Sequence, residues 1–212
     1  MAFWLYFTKI GPFQGMSSRL FCPNLQTIRK TFGALTKYGC RLSECISADS
    51  EIFVDLVSHV ADPNIDPLEV YALAALHGFE ELAVECSYHA LRIPVASIDE
   101  PNSITMGPLY LLRLSKLHEV RKATLHRLLL KPPELHNDVP LCDRKMKISV
   151  IQSYGLVAGY LTWEAEADAS PEWINSHFKA FISGIECEQC QHGIRTSVQN
   201  LLSTWNKVKK TI

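Results

Sequence analysis

The sequence predicts an all-α protein built from stacked helical hairpins. Along most of the chain, apolar residues recur at intervals of three and four, which is the spacing of one face of a helix. Pairs such as Asp66-Pro67 and Ser170-Pro171 mark where helices begin, and glycines or prolines mark where they end. Every segment with a clear period is therefore predicted to be helical.

The first helices are predicted between residues 25 and 60. Residues 1–21 are rich in aromatic side chains but lack a clean period, and we interpret them as an irregular segment. The next stretch has one apolar stripe and ends at Gly39, and the stripe consists of Leu25, Ile28, Phe32 and Leu35. "RLSECI" predicts a short helix, and "SEIFVDLVSHV" predicts another whose apolar face holds Ile52, Phe53, Leu56 and Val60.

The stretch "DPLEVYALAALHGFEELA", residues 66–83, predicts a helical hairpin that continues to residue 93. Asp66 is placed to cap the first helix, Pro67 suits its first position, and Glu69 sits where a capping box has its carboxylate. Gly78 separates the two helices, and Pro94 ends the second. A slim packing face is predicted for the first helix, formed by Val70, Leu73, Ala74 and the alanines around them.

The second half of the chain is predicted to be helical as well. After a polar loop near "DEPNS", a long amphipathic helix begins at Gly107, with a buried side of Tyr110, Leu114, Leu117, Leu125 and Leu128. These helices make up a region from residue 22 to 131, and a Pro-rich linker follows at residues 132–142. The region 143–212 holds three further helices, around residues 146–166, after Ser170-Pro171, and over a stripe of Ile194, Val198, Leu201, Trp205 and Val208.

Composition narrows the class of partner and the compartment. The 21 basic and 22 acidic residues nearly cancel, so neither nucleic acid nor an anionic membrane is an expected partner. A basic stripe of Arg113, Lys116, Arg127 and Lys131 is interpreted as a solvated helix face. No apolar stretch is long enough to span a bilayer, and no secretory signal is recognisable. The seven cysteines are scattered along the chain, which is typical of reduced thiols and not of a disulfide framework. We therefore expect an intracellular protein.

The segment "CEQCQH" is the sharpest chemical signal. Cys187 and Cys190 have the separation that lets two thiolates bind one zinc ion, and His192 is close in sequence. The missing ligands could come only from scattered candidates, such as Cys142, His136 or His177, and the redox alternative needs a thioredoxin-like βαβ unit. A plain pair of thiols at a helix start is the favoured interpretation, so no metal ligand and no cofactor are predicted.

Catalysis is not predicted either. In "HEVRKATLH" the residues His118 and His126 are eight apart, whereas zinc peptidases of that type place their histidines four apart on one helix face. The chain has no nucleophile with an identifiable base, and it lacks phosphate-binding and dinucleotide-binding glycine motifs. We therefore predict a non-enzyme without catalytic residues, with a metal-binding protein that uses the C-x-x-C as the alternative.

Several motifs resemble the helical region that follows the BTB/POZ fold in fungal BTB-domain proteins. "PLEVYALAALHGFEELA", "ALRIP" and "GPLYLLRLSKLH" resemble that region, and "CPNLQTIRKTFGALTKYG" is similar to the last helices of the BTB fold itself. "CEQCQHGI" with the final helix is similar to the C-terminal segment of the same family. The resemblance covers roughly residues 22–212, whereas residues 1–21 do not match the strand and helix that begin a BTB domain.

The resemblance implies a truncated BTB segment followed by helical hairpins, and a protein–protein interaction adaptor. In the family such adaptors join ubiquitin-ligase or transcriptional assemblies. The expected partner is therefore a protein, and self-association is expected if the apolar stripes of residues 25–56 lose part of their cover.

Overall fold

The computed structural model describes residues 25–62, 65–140 and 142–212. These residues form α-helices and one short 3-10 helix, without a β-strand, so the predicted all-α class is confirmed. The α-helices are α1 Leu25–Lys37, α2 Leu42–Cys45, α3 Glu51–Ala61, α4 Pro67–Leu76, α5 Glu80–Ala90, α6 Glu100–Leu129, α7 Arg144–Glu164, α8 Pro171–Ser183 and α9 Glu188–Asn206. The 3-10 helix is Val95–Ser97, between α5 and α6. Residues 1–21, and with them the predicted irregular segment, lie outside the described residues.

The predicted hairpin forms the centre of the first core. Asp66 caps α4 by accepting a hydrogen bond from the backbone N–H of Leu68, and Gly78 adopts a φ of 62° at the turn. Glu69 does not complete a capping box; its carboxylate contacts Arg29 of α1 instead. The face predicted for α4 is buried, and Leu68 and Tyr71 are buried as well, because α1, α3, α5 and α6 surround this helix nearly all round.

Helices α1 and α3 cover this core with most of the predicted apolar residues. Ile28, Phe32, Phe53 and Leu56 are buried, and Leu25 and Leu35 pack partly buried against them. The prediction that Ile52 belongs to the apolar face of α3 is wrong, since this side chain is 51% exposed. Within the described residues the stripes of α1 and α3 are therefore largely covered by the hairpin.

Helix α6 begins earlier than predicted and is kinked. The stretch near "DEPNS" is its first turn and not a loop, because the side chain of Asp99 accepts a hydrogen bond from the N–H of Asn102. Gly107 has a φ of 72° inside the helix, and Pro108 follows it, so the axis changes direction there. Beyond the kink, Leu114 and Leu117 pack as predicted.

A second core is formed by the end of α6 together with α7, α8 and α9. Its largest buried side chains include Phe178, Leu161 and Trp205, and Tyr154 stacks on Phe178 with ring centroids 5.3 Å apart. The predicted stripe of α9 is buried, except that α9 ends at Asn206 and Val208 packs partly buried beyond it.

The C-terminal tail joins the two cores. Arg121 is 2% exposed, and its guanidinium donates to the backbone carbonyls of Ala167, Val208 and Lys209 while lying 4.3 Å from the ring of Trp205. Burial lowers the pKa of this guanidinium. Its contacts therefore position residues 207–212 along the junction of the cores.

Candidate metal centre

Four side chains with metal-binding atoms converge beside the N-terminus of α9. They are His136, Cys142, Cys187 and Cys190, and their ligand atoms all lie within 4.8 Å of one another. The Nε2 atom of His136 is 3.2 Å from Sγ of Cys190 and 3.3 Å from Sγ of Cys187. The Sγ atoms of Cys142 and Cys190 are 3.6 Å apart. Such mutual distances suit four atoms that surround one ion.

Two separate parts of the chain supply these atoms. Cys187 is the N-cap residue of α9 and Cys190 lies in its first turn, so the C-x-x-C turns both sulfurs toward one point. His136 and Cys142 come from the linker between α6 and α7, where the backbone N–H of Cys142 donates to Val139 and the N–H of Val139 donates back. The cluster therefore joins the linker to α9.

Gly193 lets the linker lie directly against α9. A Cβ atom at this position would be 2.6 Å from the backbone carbonyl oxygen of Glu134. Any side chain larger than hydrogen would push the linker away, because carbon and oxygen do not approach that closely without strain. The glycine thus brings the linker backbone, two residues before His136, within contact distance of the helix.

Neighbouring groups hold His136 in a ligand-like orientation. Its Nδ1 atom is 2.5 Å from the backbone carbonyl of Asn137, and since a carbonyl only accepts, Nδ1 carries the proton. Nε2 is then left with its lone pair directed at the sulfurs. Lys147 donates to the backbone carbonyl of His136 and pairs with the carboxylate of Asp138. An imidazole whose second nitrogen binds a carbonyl is the usual arrangement of a metal-bound histidine.

The thiols differ in acidity. The backbone N–H of Cys190, the neighbouring thiols and His136 lower the pKa of Cys187 to about 7. Burial and the neighbouring thiols raise the pKa of Cys190 to about 12. Cys187 is therefore the more readily ionised of these two thiols. An incoming cation would displace the remaining thiol protons, because thiolates are the binding form.

The cluster is enclosed on most sides. Cys142 and Cys190 are fully buried, whereas His136 and Cys187 are half-buried. A cleft of about 490 Å³ between α7 and α8 reaches Cys142 and Cys187, and Met146, Phe181 and Ile185 are among the side chains that line it. An ion could enter from this cleft, and a bound ion would then be held largely away from water.

The donor set fits one class of metal. Three thiolates and one imidazole make up a Cys₃His set, which is a common four-coordinate environment of structural zinc. Hard cations such as Mg²⁺ and Ca²⁺ take oxygen ligands instead. The residues therefore suit Zn²⁺ better than a hard cation.

The other candidate residues lie elsewhere. His192 is exposed on α9 outside the cluster, and Nδ1 of His177 bonds the backbone carbonyl of Trp173. His118 is buried, which lowers its pKa, and neither it nor His126 belongs to the cluster. Arg113 of the basic stripe binds the carboxylate of Glu80 and lies over the ring of Tyr110.

No family model matches this chain. No curated protein and no solved structure matches it either. Among the helices that the structure describes, none has the length and the apolar character needed to span a bilayer.

Proposed function

We propose that this chain is a non-catalytic helical scaffold for protein–protein interaction whose second core is held together by a structural zinc ion. The observation that carries the metal is the convergence of His136, Cys142, Cys187 and Cys190 within 4.8 Å. Four protein ligands complete a tetrahedral zinc, which leaves no position for water or substrate. A closed site of this kind stabilises a fold and does not catalyse a reaction.

A catalytic role for the cluster is less well supported. Cys187 with its lowered pKa and His136 at 3.3 Å could be read as a nucleophile and its base. However, Nε2 of the same histidine is equally close to Cys190, whose sulfur in turn contacts Cys142. A nucleophile–base pair needs one thiol and one imidazole, whereas a four-coordinate zinc site needs all four groups. The arrangement therefore favours zinc.

The scaffold role is supported by the fold class and by the resemblance to BTB-associated helical regions. Stacked helices offer grooves and faces that bind partner helices and extended segments. We propose an intracellular adaptor of the BTB type, with a ubiquitin-ligase or transcriptional assembly as partner, on that resemblance alone. The near-zero net charge argues against nucleic acid as the partner.

Metal content tests this proposal directly. The full chain, purified without chelator from zinc-supplemented culture, should contain one zinc per molecule by elemental analysis. Cys190→Ser should lose most of the zinc. Cys45→Ser is the matched control, because Cys45 is exposed on α2 and outside the cluster, and this variant should keep its zinc. Equal zinc content in Cys190→Ser and Cys45→Ser would refute the site.

A further inference from the structure

Helix α7 has two apolar faces, and only one of them is covered. Tyr154, Ala158 and Leu161 are buried against the second core. On the opposite side, Leu156 is 78% exposed and Trp163 is 84% exposed. The outer face also holds exposed Tyr160 and Ile148. We refer to the outer side chains from Ile148 to Trp163 as the α7 outer face.

The α7 outer face contains no charged residue. From residue 148 to 163 the sequence reads "ISVIQSYGLVAGYLTW", and its polar members are Gln152, Thr162 and serines or tyrosines. Surface helices normally present charged side chains opposite their buried stripe, whereas a helix that is apolar all round is buried. By contrast, the outward side of α9 carries Glu188 and Arg195. The composition of α7 is therefore that of a helix covered on both sides.

Two glycines shape the face. Gly155 and Gly159 are one turn apart and exposed, and a Cβ atom at either would have nothing within 4 Å. A second helix could therefore approach the backbone of α7 closely at this point. Leu156 projects beside the glycines, so the face has both a ridge and a depression.

We propose that the chain forms a two-fold symmetric dimer in which α7 packs antiparallel against α7 of a second copy. The proposal rests on the scaffold function given above, of which it names one partner, and it does not require the metal. In a pair centred between Gly155 and Leu156, Leu156 of each copy packs over the partner's Gly155. Ile148 lies opposite the partner's Trp163. The ridge of each copy thus fills the depression of the other.

The charges at the ends of the face select a second copy in this orientation. Lys145 is exposed at the start of α7, and Glu164 is exposed at its end. An antiparallel pair places Lys145 beside the partner's Glu164 at both ends, with the uncharged stretch between them. A parallel pair would instead place lysine beside lysine and glutamate beside glutamate, which is unfavourable.

The size of the face predicts a reversible dimer. Tyr160 and Trp163 are aromatic side chains of about 150–250 Å² each, and Leu156 and Ile148 are smaller. At exposed fractions between 46% and 84%, the four together contribute roughly 500 Å² per copy. Standard stable interfaces bury about 800 Å² per partner. The α7 pair buries less than this standard area and belongs with the weak, transient interfaces, so we expect a dissociation constant in the micromolar range.

Sedimentation velocity of the zinc-loaded full chain, over a concentration series, tests the dimer. The wild type should shift from monomer to dimer as concentration rises, and Leu156→Glu should raise the dissociation constant at least tenfold. Leu109→Glu is the matched control, since Leu109 is 61% exposed on α6, and it should dimerise like the wild type. Zinc content measured on each sample separates a failed dimer from a failed metal site.

A charge exchange tests the orientation. Lys145→Glu alone and Glu164→Lys alone should each weaken the dimer, and the double variant should restore it. These residues are exposed, so the variants should fold, which circular dichroism checks. A wild type that stays monomeric up to about 200 µM would overturn the proposal, since a micromolar dimer is saturated there. A dissociation constant unchanged by Leu156→Glu would also overturn the proposal. So would a double variant that dimerises no more tightly than the single variants.

Discussion

Replacing Gly193 by alanine tests how the linker is seated on α9. The new Cβ atom would lie 2.6 Å from the carbonyl oxygen of Glu134, which belongs to the backbone and cannot turn aside. Overpacking costs about 1–3 kcal/mol, and a backbone clash belongs in the upper part of that range. Alanine in a helix regains about 1 kcal/mol relative to glycine. We therefore expect Gly193→Ala to lower the free energy of unfolding by about 1–2 kcal/mol.

Gly33→Ala is the matched control for this substitution. Gly33 also lies within a helix, α1, but a Cβ atom there has nothing within 4 Å, so only the gain of about 1 kcal/mol applies. Gly193→Ala should therefore be less stable than the wild type, and Gly33→Ala more stable. The free energies of unfolding of the two variants should differ by about 2–3 kcal/mol, or roughly 4–12 °C in Tm for a chain of this size. Thermal unfolding of the zinc-loaded proteins measures both.

Zinc affinity gives a second measure of the same contact. A displaced linker misplaces His136 and Cys142, so Gly193→Ala should bind zinc about 10–100-fold more weakly in competition with a chromophoric chelator, as outer-sphere changes do. Gly33→Ala should keep the wild-type affinity. If Gly193→Ala were as stabilising as Gly33→Ala and left zinc affinity unchanged, the proposed seating of the linker would be refuted.

Three further predictions concern stability. Ala74→Leu should overpack the centre of the hairpin and lower the free energy of unfolding by about 1–3 kcal/mol. Ala123→Leu, at an exposed site of α6, is the control and should change the urea midpoint little. Equal midpoints for the two variants would contradict the packing of α4. Arg121→Met leaves three carbonyls without their donor and should cost about 2–4 kcal/mol by denaturant unfolding, and a neutral effect would argue against the anchored tail. Hydrogen bonds from Arg113 lower the pKa of Glu80, so this carboxylate contributes stability above its unfolded pKa of about 4.3 that is lost as pH falls through the folded value. Glu80→Gln should therefore flatten the acid side of the stability curve, and an unchanged acid slope would contradict that role.

Local signals in the sequence predicted the helices well, because helix ends depend on neighbouring residues. Asp66 and Ser170 cap helices as expected, since each accepts a backbone N–H two or three residues ahead. The same logic failed near Pro101, which suggested a loop. Proline is compatible with the first turn of a helix, and the capping by Asp99 outweighs the turn-forming composition of that stretch.

The candidate metal centre depends on contacts that local patterns do not encode. The C-x-x-C was visible in the sequence, and His136 and Cys142 were among several scattered candidates. Choosing them requires knowing that the linker folds back on α9, across 54 residues between His136 and Cys190. Gly193 alone could not reveal this contact, because Gly33 also interrupts a helical pattern and a Cβ atom there would have nothing within 4 Å. The central position of α4 was likewise set by tertiary packing, not by its own sequence period.

X-ray absorption at the zinc edge of the full chain measures directly which atoms bind the ion. We predict a four-coordinate zinc with three sulfur ligands at about 2.3 Å and one nitrogen ligand at about 2.0–2.1 Å. In His136→Ala the nitrogen contribution should be lost while the three sulfurs remain. A wild-type spectrum with a water oxygen in place of a protein ligand, or with fewer than three sulfurs, would contradict the closed structural site.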